Sequence, residues 1–150
     1  MSLIWTPHIT VAAVIEQDGH FLLVRERSAG RLVYNQPAGH LEDNESLLEA
    51  VVRENLEETA WCFEPEAVIG IYRWRHPHTQ ETFLRVSFAG RATAHLPERP
   101  LDPDIEGVCW MDIDEIRARQ SELRSPLVLR SIDDYLEGRV YPLSLLADIG

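Results

Sequence analysis

Apolar positions along most of this chain come in short runs bounded by turn residues, and they take helical spacing only in the middle and towards the end. His8–Glu16 is a run of β-branched and small apolar residues and predicts a buried strand. Asp18-Gly19 is a hairpin turn, and His20–Glu26 returns as a second strand. Ser28–Arg31 reads as a loop. Leu32–Gly39 reads as one short extended piece, since Pro37 forbids a helix through it. The period then changes. From about Glu45 to Thr59 the apolar residues Leu47, Leu48, Val51 and Val52 recur at helical spacing, with Asn44 placed to cap and acids near the positive end. On the same segment Glu49, Arg53 and Glu57 form a rung of i, i+4 pairs.

Ala67–Trp74 and Thr82–Gly90 predict two further strands joined by the turn Arg75–Gln80. Leu96–Pro103 is a proline-rich surface loop, and Gly107–Met111 another strand. Asp112 or Asp114 caps a helix around Glu115–Gln120. A last helix opens at Ser125-Pro126, runs through Leu127–Leu136 and stops at Gly138. The apolar tail beyond it is expected to pack against the body. This order of elements predicts an α+β fold with a mixed sheet, residues 1–150 forming a single domain.

Composition narrows the partners. No run approaches the ~18 apolar residues a membrane span needs, and the first residues lack a secretory signal, so a cytoplasmic protein is expected. Cys62 and Cys109 are too few for a disulfide framework and read as small buried hydrophobes. The net charge of -11 argues against long nucleic acid. Every permanently basic residue is arginine, which excludes a phosphate-binding or Schiff-base lysine. Such acidity suits a polyanionic substrate only if metal ions neutralise the acids and bridge to phosphate oxygens.

Glu54, Glu57 and Glu58 are spaced i, i+3, i+4 and so share one helix face. Alone they fit two readings: a solvated face, or hard oxygen ligands for Mg²⁺ or Mn²⁺. They stand at fixed distances from Gly39, Glu45 and Arg53. Together these residues resemble the Nudix box, Gly-x5-Glu-x7-Arg-Glu-U-x-Glu-Glu-x-Gly-U with U bulky and apolar. Asn55 departs from it where an apolar residue is usual, and Ala60 where glycine is usual; Trp61 fills the last apolar place.

The resemblance implies the Nudix fold, an α/β/α sandwich with a mixed central β-sheet, and a hydrolase of small pyrophosphate substrates. It implies Glu54, Glu57, Glu58 and the Gly39 carbonyl as ligands of Mg²⁺ (or Mn²⁺), Arg53 as the orienter of a glutamate, and Glu45 as the residue that fixes Arg53. For the general base the resemblance leaves Glu54 or Glu57; Glu54 is the expected one, with pure metal ligation as its alternative role. Gln36, His40 and Glu42 flank the turn, and His40 is either a phosphate donor or acid, or structural. Arg25 and Arg27 are candidate phosphate contacts, as are Arg73, Arg75 and Arg85. Trp5, Tyr34, Tyr72 and Trp74 either stack on a heteroaromatic ring or pack; Trp61 and Trp110 read as core.

Asn35–Glu42, Phe83–Arg85, Leu123–Val128 and Tyr141–Leu143 extend the resemblance to a bacterial phosphatase subgroup of the family. That subgroup implies orthophosphate release from nucleoside di- and triphosphates, thiamine pyrophosphate and hydroxymethylpyrimidine pyrophosphate. Two alternatives stand beside it: a Nudix pyrophosphohydrolase releasing pyrophosphate or a monophosphate, and a non-catalytic nucleotide-binding module. Either a monomer or a homodimer is compatible with the sequence.

Overall fold

The structure, a computed structural model, describes residues 3–150. Seven strands form one mixed sheet: β1 (His8–Gln17), β2 (His20–Ser28), β3 (Arg31–Asn35), β4 (Ala38–His40), β5 (Trp61–Arg75), β6 (Thr82–His95) and β7 (Ile105–Asp112). Three α-helices accompany them: α1 (Leu47–Thr59), α2 (Ile113–Ala118) and α3 (Pro126–Leu136). The main order is β3-β2-β1-β6-β5, with β4 paired to β1 and β7 to β2. Strand β1 is the hub. Its residues His8–Ile15 run parallel to β6, Thr10–Ala12 pair antiparallel with β4, and its last residues form the hairpin into β2.

Strand alternation sends successive β1 side chains to opposite faces. Val11, Ala13 and Ile15 pack with Ala50 and Val51 of α1. Val14 joins Ile116 of α2 and Val128 and Ile132 of α3 on the other face. Helices on both faces of the sheet make an α/β/α sandwich, as the resemblance implies.

Several boundaries differ from the sequence reading. The extended piece Leu32–Gly39 is two strands, split at Gln36-Pro37; Pro37 has no N–H for a ladder, and its carbonyl instead accepts from Ala13 N at 3.0 Å. Strand β5 starts at Trp61, well before Ala67, because register irregularities around Pro65 absorb the proline. Asn44 does not cap α1. Ser46 does: its Oγ accepts from Glu49 N at 3.0 Å while the Glu49 carboxylate accepts from Ser46 N at 3.0 Å, and Asn44 takes a left-handed turn (φ 58°) upstream. Val52, expected inward, lies on the exposed side of α1, and Glu54, Asn55 and Glu58 are turned inward in its stead.

Asp112, not Asp114, caps α2, and Ser125 caps α3 through Leu127 N at 3.2 Å. In the tail, Leu143 and Leu146 pack on the α1-side core and Tyr141 bridges to Val68, whereas Leu145 and Ile149 stay exposed. Cys62 and Cys109 are half-buried rather than buried. Trp61 and Trp110 meet edge-on at 5.9 Å on the margin of the core, and Trp5 is exposed. No helix of the described residues is long and apolar enough to cross a membrane.

Candidate active site

The site begins where α1 ends. Ala60 leaves the helix in the left-handed conformation (φ 61°, ψ 16°), with its N–H on Leu56 O at 2.9 Å. Glycine is usual there because it takes this conformation without steric cost. Asn55, where the box has an apolar residue, is fully buried and donates from Nδ2 to Trp61 O at 2.9 Å, tying the helix to the start of β5. Its Oδ1 has no partner.

The turn before α1 meets the acids directly. A Cβ built on Gly39 would lie 2.1 Å from the carboxyl carbon of Glu54. Gly39 does not have a positive φ, so this position calls for glycine because of the carboxyl's close approach. Arg53 organises what surrounds it. Its Nε and Nη2 grip Glu45 at 2.5 and 2.9 Å, Nη1 reaches Glu54 at 2.8 Å and Glu57 at 3.1 Å, and Nη2 also donates to His40 O at 3.1 Å. Glu42 lies 3.4 Å from Arg53 and borders the cavity.

Carboxylate oxygens of Glu54, Glu57 and Asp102 lie within 4.8 Å of one another. Asp102 comes from the loop read as mere surface, which is anchored by Asp102 N donating to Glu57 O at 3.1 Å. Glu58 sits deeper, accepting from Ala38 N at 2.9 Å. Burial, reinforced by the charges of Glu26, Glu54 and Asp102 and opposed by the Ala38 N–H, pushes its carboxyl up to about 9. Burial also raises Glu54, against the pull of Arg53. These oxygens are held close at an electrostatic cost that a divalent cation would offset, and an all-oxygen set of this kind fits one. A second group, His20, Asp112 and Glu115, is less suited, because Asp112 is spent capping α2 and His20 Nδ1 already meets Asp18 O at 2.9 Å.

Glu54, Glu58 and Asp102 open into a cavity of about 510 Å³ that Arg85 and Arg124 also line. Arg85 is buried, and burial first, then the charge of Arg124, lowers its guanidinium to about 10. It donates to Gln36 Oε1 at 3.2 Å and Asn35 Oδ1 at 3.4 Å. Arg124 is paired with buried Glu26 at 2.7 Å. His40 borders the same space, and a chain of contacts runs from its Nε2 to His8 Nδ1 (2.9 Å) and from His8 Nε2 to Glu81 (2.6 Å). Burial, His8 and Arg124 lower the His40 imidazole, in that order.

Some candidates lie elsewhere. Arg25 and Arg27 do not reach the cavity: alternation along β2 turns Glu26 inward and leaves both arginines exposed, with Arg27 on Glu106 at 2.7 Å. Gln36 is buried behind Arg85, its Nε2 on Val128 O at 2.6 Å, and is a support rather than a lining residue. Trp74 lines the cavity, but Tyr72 is engaged with Asp134 at 2.7 Å. Asp102, Glu26, Asn35 and Arg124 were missed as site residues. Glu26 carried a signal as a charge inside an apolar strand, and Asn35 and Arg124 lay in segments that carried the subgroup resemblance.

The NUDIX domain model matches residues 6–130. The chain belongs to the Nudix family. It is a Nudix hydrolase, in the enzyme class that acts on phosphoric anhydrides. Phosphatase NudJ of Escherichia coli strain K12 is 43% identical over 142 residues, covering 95% of this chain and 92% of that protein. Among solved structures, a NUDIX hydrolase from Nitrosomonas europaea matches with a TM-score of 0.93 and 47% identity over 96% of this chain and 98% of that one. The NUDIX domain of Shewanella oneidensis NrtR, solved with ADP ribose, shares the fold at a TM-score of 0.73 and 17% identity, covering 90% of each chain.

Proposed function

We propose that this chain is a Mg²⁺- or Mn²⁺-dependent phosphohydrolase that releases orthophosphate from the terminal position of nucleoside di- and triphosphates, thiamine pyrophosphate and hydroxymethylpyrimidine pyrophosphate. The observation that carries the reading is the group of Glu54, Glu57 and Asp102 oxygens, within 4.8 Å of one another, with Glu54 and Asp102 lining a cavity that Arg85 and Arg124 also line. The likeness to phosphatase NudJ supports terminal rather than internal cleavage.

Glu54, Glu57 and Asp102, with Glu58 and the Gly39 carbonyl beside them, would hold the cation. A bound cation supplies charge neutralisation on phosphoryl oxygens and a more acidic water. The chain's own residues do the rest. Arg53 fixes the Glu54 and Glu57 carboxylates, and Glu45 fixes Arg53. Glu54 Oε1 is taken by Arg53, which leaves Oε2 to accept the proton of the attacking water. Burial raises its affinity for protons, the direction a general base needs. Positioning and electrostatics then provide most of the barrier reduction, as phosphoryl transfer requires.

The test is hydrolysis of ADP, ATP and thiamine pyrophosphate in ¹⁸O-water with and without Mg²⁺. Label in orthophosphate, and loss of turnover in folded Glu57→Gln, are the expected results. Pyrophosphate as the product would transfer the assignment to a pyrophosphohydrolase. Binding without turnover would make the chain a nucleotide-binding module.

A further inference from the structure

Arg85 is an arginine in the interior of a sheet. On β6 it lies beside Thr10 of β1 and opposite Tyr72 of β5. It is only 6% exposed, yet no carboxylate among the described residues lies within ion-pair distance of it. Its two hydrogen bonds, at 3.2 and 3.4 Å, go to neutral amide oxygens of Gln36 and Asn35, and its Nε–H has no partner. A buried guanidinium so thinly compensated is costly to the fold. The neighbouring cation, Arg124, adds to the cost, and it is about half exposed, so this end of the cavity is open to an arriving anion. The side away from the cavity is closed by Gln36, which is 1% exposed and tied to Val128 O.

We propose that Arg85, assisted by Arg124, is the seat of the substrate's terminal phosphoryl group. The identification of the anion as the end of a phosphate chain rests on the phosphohydrolase reading; the anion site itself does not. The two terminal nitrogens of a guanidinium present a fork that matches two oxygens of one phosphoryl group, and in Arg85 each has one N–H beyond its amide contact. Such an anion, on the second N–H of each terminal nitrogen, neutralises a charge the protein leaves bare. The pocket is closed behind Arg85 by Gln36, so the group it accepts is a chain end. The site therefore selects nucleoside diphosphates over compounds such as ADP-ribose, whose phosphates are esterified on both sides.

The experiment uses the full chain as wild type, Arg85→Met and Arg124→Gln. Inorganic phosphate binding is measured calorimetrically in EDTA, and kcat and KM are measured with Mg²⁺ for ADP and ADP-ribose. Loss of one charge-assisted contact raises the phosphate Kd and the KM for ADP by about tenfold to a hundredfold in Arg85→Met, and less in the more exposed Arg124→Gln. The KM for ADP-ribose changes less than that for ADP. An unchanged phosphate Kd in folded Arg85→Met overturns the proposal. If that variant does not fold, wild-type crystals soaked in arsenate decide: an anomalous peak beside the Arg85 guanidinium supports the site, and its absence overturns it. A wild type without turnover would sink the phosphohydrolase reading alone, since the phosphate-binding arm needs no catalysis.

Discussion

Replacing Gly39 with alanine separates the site from the fold. The added Cβ would lie 2.1 Å from Glu54 Cδ and 2.3 Å from each carboxyl oxygen, where ordinary contact begins at 3.4 Å. The carboxyl must therefore retreat by about 1.3 Å. The backbone at residue 39 already suits an L-residue, and alanine is better tolerated in strands than glycine by roughly 0.5–1 kcal/mol. That gain offsets much of the strained Arg53–Glu54 contact, so overall stability should change by no more than ~1 kcal/mol. Catalysis has no such offset. A reacting group displaced by about 1 Å costs on the order of a hundredfold in rate. Urea unfolding should thus stay within ~1 kcal/mol of the wild type while Mg²⁺-dependent phosphate release at saturating ADP falls about a hundredfold. Wild-type turnover in Gly39→Ala would refute the reasoning, because it would mean that the position of the Glu54 carboxyl does not matter.

Three further substitutions probe the same region. Without metal, Glu58 holds its proton up to about 9, against 4.5 when unperturbed; stability is highest below the unfolded value and falls as pH rises through that window. Glu58→Gln removes this loss, and in EDTA at pH 7 it should be more stable by on the order of 3 kcal/mol, with no difference at pH 4; equal urea midpoints at both pH values would contradict the buried-acid account. Ala60→Gly relieves a left-handed alanine, worth about 1–2 kcal/mol, and loses a buried methyl worth about 0.8, so calorimetry should find a net gain of roughly 0.5 kcal/mol; a lower Tm would show that the methyl's packing dominates. Asp102→Asn keeps the main-chain bond to Glu57 and removes one charge, so the Mg²⁺ concentration needed for half-maximal thermal stabilisation should rise about tenfold; an unchanged Mg²⁺ requirement would exclude Asp102 from the cation's ligands.

Local patterns in the sequence were enough to find the strands, the central helix and the charged positions of the box. What escaped it depended on distance along the chain. Asp102 reads as one acid in a proline-rich loop, and only its return to Glu57 brings it to the cluster. Arg85 is one of five arginines open as phosphate contacts, and pattern does not single it out from Arg73 or Arg75; its burial between β1 and β5 does. Arg25 and Arg27 misled because a strand's alternation is certain while its facing is not: Glu26 went inward and took the arginines' place. Asn44 lost the cap to Ser46 because the capping box with Glu49 satisfies two donors at once.

The tether between Asp102 and Glu57 runs through main-chain atoms. Loop 96–103 therefore keeps its berth on the helix whatever side chain residue 102 carries. Glutamates on α1 are committed by neighbours that would have to rearrange with them, but this single acid is interchangeable. Within this architecture the appetite for a cation can be adjusted at one position on the rim, leaving the helix, the arginine at its centre and the glycine beneath it undisturbed.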